Sequence, residues 1–86
     1  MFRDELRRIR LLAFFTQKEL CLRSGIPLGT YKSWELGLQY PTPRNWKTYI
    51  EFMDKLLPSW QLSEVKRMYT ERSGNNARAT ADKISD

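Results

Sequence analysis

Histidine is absent from these 86 residues and cysteine occurs once. A structural zinc site takes about four Cys or His ligands, so one chain cannot assemble one here. A lone thiol cannot build a disulfide framework either, which fits a reducing compartment. No apolar run approaches the ~20 residues needed to cross a bilayer. The opening Met1-Phe2-Arg3-Asp4-Glu5 is charged at once and shows no signal-peptide pattern. There is no glycine-rich phosphate loop and, without histidine, no recognisable nucleophile–base pair. The expectation is a soluble intracellular protein without membrane attachment, metal, cofactor or enzymatic activity.

What is present suits one small packed domain. Hydrophobic residues make up 41 % and aromatics 13 %, enough for a single core but not two. Lys and Arg number 15 against 10 acids, a net charge of +5. A basic surface of this kind attracts polyanions, nucleic acid among them.

Helical periodicity runs through most of the chain. Phe2, Leu6, Ile9, Leu12 and Ala13 repeat at steps of three and four, predicting a helix from Phe2 to about Phe14. Thr16 with Glu19 three residues on has capping-box spacing, and Phe15 is placed to staple onto Leu20. Ser24-Gly25 stops that second helix. Pro27 suits the first turn of a third, with Tyr31 and Trp34 on its buried side and Gly37 at its end. Thr42-Pro43 opens a fourth helix carrying Trp46, Tyr49, Ile50, Met53, Leu56 and Leu57, up to Pro58. Ser59 caps a fifth, in which Leu62, Val65, Met68 and Tyr69 form a stripe. From Ser73 the chain has little to bury and is expected to be a flexible tail, residues 73–86, after a domain spanning 1–72. There are no repeats and no useful strand pattern.

Two short helices around Gly25 form the layout of a helix-turn-helix. The spacing of Arg10, Thr16, Gln17, Glu19, Leu20, Cys21, Gly25, Trp34, Glu35, Gly37 and Pro41 resembles the Cro/phage-repressor helix-turn-helix family over residues 5–57. The resemblance implies an all-α, compact four- to five-helix lambda-repressor-like domain. It also implies a sequence-specific transcriptional regulator of double-stranded DNA: a small repressor of phage, antitoxin-like or anti-CRISPR-associated type, in the cytoplasm of a bacterial or phage-infected cell. A homodimer on a palindromic operator is expected, together with a regulatory partner protein where one exists.

The resemblance distributes roles over particular residues. The third helix enters the major groove, where Leu28, Gly29, Lys32 and Ser33 are the candidates for base contact. Thr16 and Gln17 at the start of the second helix, and Arg44 and Lys47 at the start of the fourth, are candidates for phosphate contact. Arg10 and Glu35 resemble a pair that bridges the first helix to the recognition helix. Arg3, Arg7 and Arg8 could extend the phosphate surface or form the wet face of helix 1. Cys21 takes a small buried position, and Trp34, Trp46 and Trp60 are core or interface anchors. Leu62, Val65, Met68 and Tyr69 are the candidate dimer interface. The chain departs from the family in opening its recognition helix with Pro27-Leu28-Gly29, poor in bidentate donors. Specificity then leans on Lys32, Ser33 and DNA shape, or part of this surface meets protein and the chain is an interaction module.

Overall fold

The computed structural model describes the backbone of residues 1–85 and the side chains of residues 1–72; the side chains of the expected tail, 73–86, lie outside them, and its backbone through Ser85 continues the last helix. Five helices follow one another: α1 (Phe2–Leu12), α2 (Gln17–Ser24), α3 (Leu28–Glu35), α4 (Pro43–Asp54) and α5 (Ser59–Ser85). No strand occurs among the described residues.

Local chemistry sets most helix ends. Thr16 accepts from the Glu19 N–H at 3.0 Å while the Glu19 carboxylate accepts from the Thr16 N–H at 3.0 Å, completing the capping box. Gly25 ends α2 at φ 85°, in the left-handed region that costs glycine least. Thr42 caps α4 with Pro43 in its first turn. Pro27 differs from expectation by one position. It is the N-cap of α3 and not a first-turn residue, and α5 likewise starts at Ser59 itself. A proline fits either place, since both fix φ near −60° and neither uses an N–H.

α1 closes unexpectedly early, at Leu12. Phe14 takes φ 61°, its N–H bonds to Leu11 O, and the Phe15 N–H reaches back to Arg10 O at 3.2 Å. That is a Schellman turn with phenylalanine where glycine is usual.

The core joins all five helices. Leu6 and Ile9 of α1, Leu20 and Cys21 of α2, Tyr31 and Trp34 of α3, Tyr49 and Met53 of α4, and Leu62 and Val65 of α5 are buried together. Cys21 is thus a core residue, its thiol pKa pushed up by burial. Phe15 packs on this core, stacking on Phe52 at 6.1 Å with the Arg23 guanidinium over its ring.

The stripe on α5 requires a correction. Leu62 and Val65 are fully buried and Tyr69 nearly so, so these three complete the core and do not face outward as a dimer interface, while Met68 is half-buried. Folding α5 back onto α1 and α4 buries an apolar face the single chain would otherwise expose. Trp60, expected as a core or interface anchor, is not in the core: it lies on the solvent side of α5 at 70 % exposure. Two tyrosines lock α5 to the α3–α4 connection. Tyr69 donates to Pro41 O at 3.1 Å, Tyr40 donates to Met68 O at 3.2 Å, and their rings stack at 5.4 Å. This fastening fixes where α4 begins.

Candidate nucleic-acid interface

α2 and α3 pack against each other around Gly25, and both contact other parts of the core. Tyr31 and Trp34 anchor α3 from inside, edge to face with each other, while Tyr49 meets Trp34 edge-on and stacks on Tyr31. With these two turned inward, Gly29, Lys32 and Leu36 fall on the outer side at steps of three and four, and all three are exposed. Leu36, 63 % exposed, is a residue the sequence reading passed over. The period that selects Gly29 and Lys32 also selects it.

The four base-contact candidates separate on inspection. Gly29 and Lys32 are open to solvent, whereas Leu28 is half-buried and packs on the core. Ser33 is half-buried as well. Its hydroxyl lies 2.6 Å from Thr30 O and 3.0 Å from Gln39 Oε1, both acceptors within the chain. One hydroxyl hydrogen cannot serve these and a base at once.

The phosphate candidates stand at two helix N-termini. In α2 the capping box occupies the Glu19 N–H, leaving those of Gln17 and Lys18 without intrahelical partners. The Thr16 hydroxyl accepts from Glu19, and its own hydrogen stays available for donation. Gln17 uses one amide hydrogen on Glu35, Nε2 to Oε1 at 3.1 Å, and keeps the other. At α4, Thr42 accepts from the Asn45 N–H at 3.3 Å, and both Arg44 and Lys47 are exposed just after it. At α2 the free N–H groups of Gln17 and Lys18 meet the positive dipole end beside the exposed Lys18 side chain, and at α4 the one free N–H, that of Arg44, meets it beside Arg44 and Lys47.

Arg10 and Glu35 hold these pieces in register. Arg10 Nε donates to Glu35 Oε2 at 2.7 Å and Nη2 to Oε1 at 3.2 Å, while Nη1 donates to Phe15 O at 2.9 Å. One guanidinium thus joins α1, the turn into α2 and the last residue of α3. Burial by itself would raise the Glu35 pKa. Hydrogen bonding from Arg10 and from Gln17 outweighs it and holds the carboxyl below its usual value. Arg10 is correspondingly pushed up by its bond to Glu35.

The arginines of α1 divide by face. Arg8 turns to α5, donating to Gln61 O at 3.1 Å and pairing with Glu5 at 2.9 Å. Arg3 lies along the end of α3, donating to Leu36 O at 3.3 Å, with its side chain 3.0 Å from where a Cβ on Gly37 would stand. Gly37 sits at φ 76°, the region that favours glycine, whereas a Cβ there would only displace the exposed end of Arg3 slightly. Arg7 shares a groove with Arg10, Gln17, Lys32, Glu35 and Leu36.

A helix-turn-helix family model matches residues 6–60, well over half the chain. The chain belongs to the Cro/C1-type helix-turn-helix family. Membership makes it a DNA-binding helix-turn-helix regulator. Comparison with curated proteins and with solved structures returned no significant match. No helix among the described residues is long and apolar enough to cross a membrane. For this Cro/C1-type domain, α2 and α3 are the helix-turn-helix pair.

Proposed function

We propose that this Cro/C1-type domain is a small sequence-specific repressor that binds duplex DNA as a homodimer on a two-fold symmetric operator. One observation carries the reading. The Gly25 turn leaves Gly29 and Lys32 exposed on the outer side of α3, and the N-termini of α2 and α4 each keep at least one free N–H beside an exposed cation, Lys18 at α2 and Arg44 and Lys47 at α4. Thr16, Gln17, Arg44 and Lys47 then hold phosphates on either side of the groove that α3 enters, and position it there.

The dimer follows from reach. α3 has eight residues, about 12 Å of helix, and reads only a few base pairs. Two copies one helical turn apart double the site, and symmetry of the operator mirrors symmetry of the protein. With Leu62, Val65 and Tyr69 committed to the core, Trp60 and Leu56 are the exposed apolar residues flanking Pro58 that a second copy would cover. Repression is by occupancy of a promoter.

The test is binding to random duplex pools, followed by affinity measurement on the recovered sequences over a salt series. Six to ten phosphate contacts lower affinity by about 10³–10⁵ between 50 and 200 mM salt. Recovery of a two-fold symmetric consensus with that salt response supports the reading. Absence of duplex binding, with salt-insensitive capture of a protein on the α3 surface, would replace it with an interaction module.

A further inference from the structure

We propose that Arg7 and Lys32 together hold one backbone phosphodiester in the groove between α1 and α3, so that Lys32 supplies affinity and not base identity. The inference rests on the DNA-binding reading above and assigns a role within it.

The groove has a volume of about 430 Å³ and is lined by Arg7, Arg10, Gln17, Lys32, Glu35 and Leu36. Three cations therefore line it against one carboxylate. That carboxylate is already engaged: Glu35 accepts twice from Arg10 and once from Gln17. Arg10 is engaged in return, with its remaining Nη1 on Phe15 O. Arg7 and Lys32 are exposed and have no ion pair or side-chain hydrogen bond among the described residues. Arg8, Lys66 and Arg67, by contrast, have acids beside them: Glu5, Asp54 and Glu64. Two uncompensated cations sharing a groove repel each other and raise the local positive potential. An anion between them removes that repulsion.

Shape favours a phosphodiester over a base edge. A base edge lies flat inside the major groove and is read by side chains that project away from the globule. Lys32 shares its concave groove with side chains of α1 and α2. A tetrahedral anion protruding from the duplex fits such a depression. Gln17, in the same groove, contributes its free N–H and its second amide hydrogen as further donors. α3 is then left with Gly29 as its open base-facing position, and sequence preference comes from duplex shape and close backbone approach.

The experiment uses full-length protein and duplexes recovered with the wild type. Arg7→Ala and Lys32→Ala are compared on the recovered duplex and on single-base variants across a salt series, with thermal melts to check folding. The selection is then repeated with Lys32→Ala. Each substitution is expected to weaken all duplexes alike, by about tenfold near 100 mM salt. Each should also flatten the log–log salt slope by about 0.9 for every cation removed from the complex. The repeated selection should return the wild-type consensus. A new consensus from Lys32→Ala, or an Arg7→Ala protein with unchanged affinity and slope, overturns the assignment while leaving DNA binding intact. A wild type that binds no duplex brings down the DNA reading and this inference with it.

Discussion

Arg10 of α1 grips both carboxylate oxygens of Glu35 at the end of α3, and the two side chains are only 11 % and 7 % exposed. A pair this covered lies between the exposed limit, worth about 0–1 kcal/mol, and the buried limit, where removing one partner costs about 3–5 kcal/mol. Arg10→Ala is therefore expected to destabilise the fold by about 2–3 kcal/mol. That is a fall of roughly 10–15 °C in melting temperature for a domain of this size. Loss of DNA binding should follow from the loss of fold. Circular dichroism melts of Arg10→Ala, Glu35→Ala and an Arg10→Met/Glu35→Leu double variant check this. The double variant should recover stability, because no unpaired charge remains in a covered site.

The depressed Glu35 pKa sets a pH dependence of known sign. A carboxyl whose folded pKa lies below its unfolded value, near 4.5, contributes full stability above about that pH. The contribution disappears as pH falls through the folded pKa. Stability should thus be flat from pH 7 to about 5 with respect to this group and decline below it. Denaturant titrations of wild type and Glu35→Gln across pH 3–7 are the check. The gap between the two proteins should narrow toward pH 3, and a gap that widens in acid contradicts the assignment.

Much of this architecture is legible in the sequence because it obeys local rules. Thr16 with Glu19, Thr42 with Pro43, and the glycines at 25 and 37 each mark a helix end within a few residues. Arg10 and Glu35, 25 residues apart, are not local, and only likeness to a known pattern pairs them. Other features depend on how helices cross, which periodicity does not encode. The α5 stripe has the same pattern whether it meets its own chain or another. Trp60 suits core or interface by residue type alone, and an aromatic at the start of a helix can fall on either side of the buried arc. Lys32 is on the outer face of α3 by period, yet its sharing a groove with Arg7 follows only from where α1 lies.

Phe14 offers a direct test of backbone strain. It sits at φ 61° and is 91 % exposed, so it pays for a left-handed conformation without packing in return. The left-handed region costs a side-chain-bearing residue about 1–2 kcal/mol. Glycine removes that cost and gives back part of it as chain entropy. Phe14→Gly is expected to stabilise the domain by about 0.5–1 kcal/mol, read as a higher midpoint in urea with an unchanged slope. A lower midpoint would mean that the Phe14 ring makes contacts the fold needs.

The two sides of α5 should respond differently to truncation. Leu62 is wholly enclosed, and removing its side chain leaves a cavity in the core it shares with Ile9 and Met53. Leu62→Ala should cost about 2–5 kcal/mol of monomer stability. Trp60 is largely in solvent, and Trp60→Ala should alter unfolding by no more than about 0.5 kcal/mol. If two copies meet around Trp60, that same substitution shifts the monomer–dimer equilibrium toward monomer in sedimentation velocity and weakens binding to a two-fold site. Binding to an isolated half-site would be unaltered, because α2, α3 and the start of α4 are untouched. A Trp60→Ala protein that remains as dimeric as wild type places the contact elsewhere on the surface, whereas a large loss of stability would show that the indole is part of the core.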